Sequence, residues 1–318
     1  MRAISYRSFG GPEVLEYGEC EDPKVGPDSV LVRVCAAGVN PVDWKCREGG
    51  LDRLLDAVFP VIPGWDVSGV VVQPGVSVTE FAVGDEVVGY VREDMLSRGT
   101  CAEYVAAPVR TLARKPRNMS FTQAAGLPLT GLTAYQVLTR ALRIREGEVL
   151  LVHAAAGGVG SAAVQLALHL GARVIGTASP ANHDWLRELG AEPVDYAEDL
   201  GEQVRELTGD GVDAVFDTVG GATLRRSEAL LPAEGRLVSI ADPEVVDLGG
   251  RYVFVRPDAE DLRRLGEFVE DGVLSVRVAE TFPLARTAEA HRRSQEGHTR
   301  GKLVVTVDWG EADLGGAD

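Results

Sequence analysis

The sequence predicts an α/β protein in which a β-rich part is joined to a doubly wound parallel sheet. Three observations carry this. Between residues 29 and 108, short stretches alternate apolar and polar residues and are punctuated by Gly and Pro, the pattern of half-buried strands in a small barrel or sandwich. From 149 to 255, nearly all-apolar strands alternate with helical stretches, which implies a parallel sheet covered on both faces. A glycine-rich turn joins the first of those strands to its helix.

The elements follow in chain order. Residues 29–39 alternate as a strand; 66–78 read as a strand, a Pro-Gly turn and a second short strand; 81–91 and 100–108 continue the pattern. The stretch 120–142 is helical, with Ser120 as N-cap and a break at Pro128. Strands are expected at 149–153, 173–177, 193–195, 213–217, 236–240 and 251–255, and helices at 158–170, 181–190, 199–208 and 221–231. The link 241–250 reads as irregular. A helix at 258–271, a strand at 276–280, a helix at 287–296 and a strand at 302–307 close the chain. That last segment is too small for a core of its own and is expected to complete the N-terminal part. The acidic, Gly-rich tail 308–318 reads as frayed.

With 318 residues, 45% of them hydrophobic, the chain can bury two cores without staples. It has no apolar run of about 18 residues, so nothing is expected to span a membrane, and its N-terminus lacks the apolar segment of a secretory signal. Cys20, Cys35, Cys46 and Cys101 are scattered, which argues against a disulfide scaffold or a CxxC metal cluster. The expected location is cytoplasmic. A net charge of −16 disfavours nucleic acid and anionic membrane as partners. An anionic ligand would have to be held by local positive groups and helix N-termini.

The strongest motif is VLLVHAAAGGVGSAAVQLALHL, 149–170. Strand, turn and helix are in the order that distinguishes a dinucleotide fingerprint from a chance repeat. Gly157 allows the backbone to approach a pyrophosphate, and Gly160 lets the helix pack on the strand. The N–H groups at the helix start, around Gly158 and Val159, would hold the phosphates. Ala155 replaces the usual first glycine, so the motif reads Ala154-x-x-Gly157-x-x-Gly160. The next strand runs out through Gly176-Thr177-Ala178-Ser179-Pro180, without the acid that NAD-binding folds place on the ribose. Ser179, followed by Asn182 and His183, suits a 2′-phosphate instead, and NADPH is the expected cofactor. His183 reads equally well as an exposed helix residue.

Several stretches together resemble a known family. They are AAGVNPVDWKCREGG (36–50), FPVIPGWDVSGVV (59–71), FAVGDEVVGY (81–90), GTCAEYVAAP (99–108), AAGLPLTGLTAYQVL (124–138), VDAVFDTVGG (212–221) and GKLVVTV (301–307), with the glycine turn. The chain resembles the zinc-free, quinone-oxidoreductase-like branch of the medium-chain dehydrogenase/reductase superfamily. The resemblance implies a GroES-like catalytic domain made of 1–122 and 256–318, an inserted Rossmann domain of 123–255, a nicotinamide in the cleft between them, and a homodimer formed through the Rossmann sheet. Zinc-using relatives carry a Cys where this chain has Asn40, and a His-Glu pair where it has Trp65-Asp66. Trp cannot ligate zinc, and an amide is a poor ligand beside thiolate and imidazole. Only Cys101 falls in the region of their four-Cys lobe, so no metal is expected.

Without a metal to polarise a ketone, quinones and alkenes conjugated to a carbonyl become the expected small-molecule substrates. Hydride would go to the β-carbon, donors would meet the enolate oxygen, and a proton would reach the α-carbon. Four residues are candidates for this work: Asn40 to orient ribose or substrate oxygen, Lys45 to donate a proton or polarise oxygen, Asp43 to position their loop, and Trp65, with Trp44, as an aromatic wall. Lys45, Asp43 and Trp44 also have plainer readings, as a solvated loop lysine, a turn-capping aspartate and a core tryptophan. The resemblance also implies cofactor contacts at Thr130, Tyr196, Val219, Gly220, Ile240, Ala241, Phe254, Val255 and Lys302. The expected activity is an NADPH-dependent, zinc-independent reductase of quinones or enones. The alternatives are an NADPH-binding structural or regulatory protein with little turnover, and a dedicated biosynthetic enoyl reductase.

Overall fold

The computed structural model describes residues 1–309. Six parallel strands form one sheet in the order Glu192–Asp195, Arg173–Ala178, Val149–Val152, Ala214–Asp217, Arg236–Ser239, Arg251–Tyr252. In chain order this is 3-2-1-4-5-6, and the order reverses between Val149–Val152 and Ala214–Asp217. Ligands of doubly wound sheets bind outside the strand ends at such a switch point. Leu150, Leu151, Val215 and Phe216 are fully buried, as central strands covered on both faces require.

The second sheet has seven strands and draws on both ends of the chain. Lys302–Thr306 pairs antiparallel with Ser29–Val39, placing Leu303 opposite Val39. Ser29–Val39 also pairs with Asp66–Pro74 and Tyr104–Pro108, and Glu86–Tyr90 and Leu112–Arg114 extend that side. The inward residues Val30, Val32 and Val34 are fully buried, matching the two-residue alternation in the sequence. These are the GroES-like and Rossmann domains. Two helices, Phe121–Ala125 and Pro128–Gln136, lie at their junction; Ser120 caps the first, its Oγ accepting from the Gln123 N–H at 3.2 Å. The approach there is close: a Cβ on Gly38 would stand 2.3 Å from the Ala125 carbonyl oxygen.

Several expected elements differ. The expected loop after Asn40 is a helix, Pro41–Arg47. Asn40 is its extended N-cap residue, Pro41 presets the first turn, and Asp43 accepts the Asn40 N–H at 2.7 Å. Seven residues are too few to show an apolar period. No second strand forms by residue 78, because Pro74-Gly75 ends the ladder: a Cβ on Gly75 would lie 2.2 Å from the Gly26 carbonyl oxygen. The strand expected at 276–280 runs Val278–Pro283. That at 251–255 is only Arg251–Tyr252, since Val253 onward turns back into the core. Strands Arg2–Ser5, Glu16–Glu19, Asp56–Ile62 and Met95–Arg98 carried no clear alternation. Of the tail read as frayed, Trp309 is pinned, its Nε1–H donating to the Val34 carbonyl at 2.8 Å; residues 310–318 lie outside the described ones.

Candidate functional site

Three strand ends meet at the junction of the two sheets. Asn40 follows Ser29–Val39, Asp66 begins Asp66–Pro74 and Lys302 begins Lys302–Thr306, and all three are buried. Lys302 Nζ donates to Asn40 Oδ1 at 2.5 Å and to the Val39 carbonyl at 2.8 Å. Asn40 Nδ2 donates to Asp66 Oδ2 at 2.8 Å. The other carboxylate oxygen of Asp66 accepts the Leu129 N–H at 2.9 Å, at the start of helix Pro128–Gln136. Asp43 joins through the Asn40 backbone. Burial pushes Asp66 up to about 6, against the pull of Lys302 and of its hydrogen bonds. Burial raises Asp43 as well, and it lowers Lys302, opposed by the two carboxylates.

This cluster abuts the glycine turn. Gly301 N–H donates to the Ala156 carbonyl at 3.1 Å. A Cβ on Gly158 would sit 2.9 Å from Lys302 Cδ and 3.0 Å from Thr130 Cγ2. A Cβ on Gly160 would meet the Ala154 carbonyl oxygen at 2.3 Å, so the helix can lie on the strand only with glycine there. At Gly157 such a Cβ would meet the Ala154 carbonyl oxygen at 3.2 Å, with nothing else within 4 Å. The first N–H groups of helix Gly158–His169 have no carbonyl a turn behind them. The residues present fit a dinucleotide: an open backbone, a helix start and buried polar side chains from both domains. Ala155 lies fully buried beneath the turn, against Gly176, while Ala154 takes the strained corner at φ +48°.

Ser179, Asn182 and His183 gather at the end of Arg173–Ala178. Asn182 Nδ2 donates to Ser179 Oγ at 3.2 Å, and His183 Nε2 lies 3.2 Å from the Ala178 carbonyl. Tyr196 and Val219 are exposed. Gly220, at φ +81°, gives its N–H to the buried Asp217 at 3.0 Å. Phe254 lies under Arg92, whose Cζ is 5.4 Å from its ring centre; Ile240 is partly buried, and Val255 is in the core. Thr130 is buried and donates to the Gly126 carbonyl at 2.7 Å.

The structure thus brings Asn40, Asp43, Thr130 and Lys302 together with the glycine turn. Lys45 stays outside the cluster, on the exposed face of its helix, with Nζ 5.7 Å from the Trp44 ring centre. Trp65 is buried, edge-on to Tyr90 at 6.1 Å, and lines a small cavity of about 20 Å³ with Asp43, Cys46, Val91 and Leu96. Among the described residues no group of three His, Cys, Asp or Glu is arranged to hold a metal. No helix among them is long and apolar enough to cross a membrane. Asp66 and Asp217 were not singled out from sequence. The only signal for Asp66 was its place in the Trp65-Asp66 pair.

Two family models match, alcohol dehydrogenase GroES-like domain over residues 26–117 and zinc-binding dehydrogenase over 189–305. The chain is 36% identical to an NADPH-dependent alkenal/one oxidoreductase, chloroplastic, of Arabidopsis thaliana, over 96% of this chain and 79% of that one. The chain belongs to the zinc-free, quinone-oxidoreductase-like branch of the medium-chain dehydrogenase/reductase superfamily. Among solved members, a quinone oxidoreductase from Coxiella burnetii superposes with TM-score 0.88 at 36% identity, covering 97% of this chain and 99% of that one. A mycobacterial member complexed with NADPH gives TM-score 0.84 at 32% identity, covering 96% and 100%. As a member of this branch the protein is an oxidoreductase of a nicotinamide-dependent family.

Proposed function

We propose that this protein is an NADPH-dependent, zinc-independent reductase that delivers hydride to a quinone or to the β-carbon of an α,β-unsaturated carbonyl. The carrying observation is the buried Asn40–Lys302–Asp66 cluster set against the glycine turn, where zinc-using relatives would place a metal. The relatives' names, an alkenal/one oxidoreductase and a quinone oxidoreductase, support the substrate class.

The nicotinamide supplies the hydride when bound. Gly158, Val159 and Gly160 would hold its phosphates by backbone N–H groups and the dipole of the helix they open, while Gly157, its own N–H turned to the Ala154 carbonyl at 2.9 Å, would leave room for the approach. Ser179, Asn182 and His183, with Tyr196 nearby in the sheet order, receive the 2′-phosphate without a carboxylate to repel it. Val219, Gly220, Ile240, Phe254 and Val255 frame the remaining path along the strand ends. Asn40 uses one Nδ2 hydrogen on Asp66 and keeps the second for ribose or substrate oxygen. As hydride arrives at the β-carbon, charge grows on the carbonyl oxygen, and donors fixed beforehand stabilise it. The α-carbon takes its proton from water, since the helix turns Lys45 away from the cluster. The indole of Trp65, packed edge-on to Tyr90, supplies an aromatic wall for a flat substrate.

The same reading divides the chain into 1–122 with 256–318 and 123–255. It pairs two copies through the open sheet edge at Arg251–Tyr252 and places the enzyme in the cytoplasm. Loss of NADPH absorbance with a panel of quinones, enones and enals, repeated with NADH, tests it. Turnover with NADPH well above that with NADH is expected. Tight NADPH binding with no turnover on any acceptor would overturn the reductase and leave a dinucleotide-binding protein.

A further inference from the structure

We infer that Asp66 is the positioning residue of the cofactor site, and that it acts by supplying acceptors to two donors at once while its charge faces the Lys302 ammonium. The inference rests on the NADPH reading above. Its carboxylate is fully buried. Oδ2 holds the Asn40 amide at 2.8 Å and lies 4.0 Å from the Lys302 ammonium. Oδ1 holds the Leu129 N–H at 2.9 Å.

Leu129 is the second residue of helix Pro128–Gln136, so the carboxylate also stands at the positive end of that helix. Thr130 is the next residue along. One side chain therefore sets the register of Asn40, Lys302 and Thr130, drawn from two strand ends and a helix of the other sheet's layer. The acceptor count shows why an acid is needed. The donors are the Leu129 N–H, one Asn40 Nδ2 hydrogen and the Lys302 ammonium. Their acceptors are the two Asp66 oxygens, Asn40 Oδ1 and the Val39 carbonyl. An asparagine at 66 has the same size but turns one acceptor into a donor. That donor would face the Asn40 amide, and flipping Asn40 would only turn its own donor toward Lys302. A buried donor without a partner is costly, and the cluster relieves it by letting Asn40 and Lys302 move.

The test compares Asp66→Asn, Asp66→Ala and Ser68→Ala. Ser68 lies on the same strand and is also buried, its Oγ donating to the Phe121 carbonyl at 2.6 Å; it serves as a control for strand-to-helix packing. NADPH dissociation constants are measured by fluorescence titration on folded protein, together with kcat and KM for NADPH. Expected are an NADPH Kd raised about tenfold or more in both Asp66 variants, a fall in kcat/KM for NADPH to match, and a Ser68→Ala Kd within about threefold of wild type. A packing role would be rescued by the isosteric Asp66→Asn, so wild-type affinity in that variant overturns the inference while the proposed function stands. Equal weakening by Ser68→Ala also overturns it. A wild-type chain that binds no NADPH sinks the proposed function first, and this inference with it.

Discussion

Lys302 Nζ donates to Asn40 Oδ1 at 2.5 Å, tying the first residue of strand Lys302–Thr306 to the residue that follows the strand Ser29–Val39. The bond is possible because the chain's end returns to pair with its beginning. It also fixes the orientation of the Asn40 amide, since its oxygen is committed to the ammonium and its nitrogen to Asp66.

Lys302→Met should therefore do more than remove a charge. It leaves Asp66 and Asp43 buried without their cation, and breaking a buried pair on one side costs about 3–5 kcal/mol. Urea unfolding should show that loss, and NADPH affinity measured under folding conditions should fall as well. Unchanged stability would mean that the ammonium is not a structural part of the cluster.

The glycine turn separates a packing role from a binding role. Gly160→Ala puts a Cβ 2.3 Å from the Ala154 carbonyl oxygen, so it should lower the melting temperature and NADPH affinity together. Gly157 has an ordinary φ of −77° and its nearest neighbour at 3.2 Å. Gly157→Ala requires the turn to give by only a few tenths of an ångström and should cost less stability than Gly160→Ala, about 1 kcal/mol or less, yet still weaken NADPH, because the methyl occupies the phosphate approach. Thermal melts with and without NADPH distinguish the two.

Ser179→Asp should reverse the cofactor preference. A carboxylate beside Asn182 and His183 repels the 2′-phosphate and can accept from ribose hydroxyls. The ratio of kcat/KM for NADPH over NADH should drop about tenfold or more. A ratio that does not move would place the 2′-phosphate elsewhere.

His153 makes stability depend on pH. It is fully buried, with Nε2 2.7 Å from Ser227 Oγ and Nδ1 3.2 Å from Thr177 Oγ1. Burial lowers it to about 4 from an ordinary 6.5. Between those values the unfolded chain binds the extra proton and the folded one does not. The contribution is thus present above 6.5 and lost as pH falls through about 4, by at most about 1.4 kcal/mol per pH unit. Asp66 has the opposite sign: its raised value favours the folded state at low pH and loses that contribution as pH rises through about 6. Denaturant melts of wild type and His153→Asn across pH 4.5–7 should converge as pH falls.

Much of the fold was legible because its signals are local. The alternation in Ser29–Val39 and the apolar run Val149–Val152 before a glycine turn each report burial directly. Helix Pro41–Arg47 was missed because its evidence is only an Asn-Pro-x-Asp start. Asn40, Thr130 and Lys302 were found and do meet. Asp66 was not, because its role depends on Leu129, a residue 63 positions on and in another layer. No pattern of spacing records such a contact. Lys45 read as a loop lysine close to Asn40 because three-residue to five-residue neighbours look adjacent in sequence, whereas the helix turns it to the outside.

The carbon that receives the hydride defines the reaction. NADPH carrying deuterium at the transferred position of C4, with a simple enone as acceptor, tests it by NMR of the product. Conjugate reduction puts deuterium at the β-carbon and hydrogen from solvent at the α-carbon. Deuterium at the carbonyl carbon, giving an allylic alcohol, would contradict it.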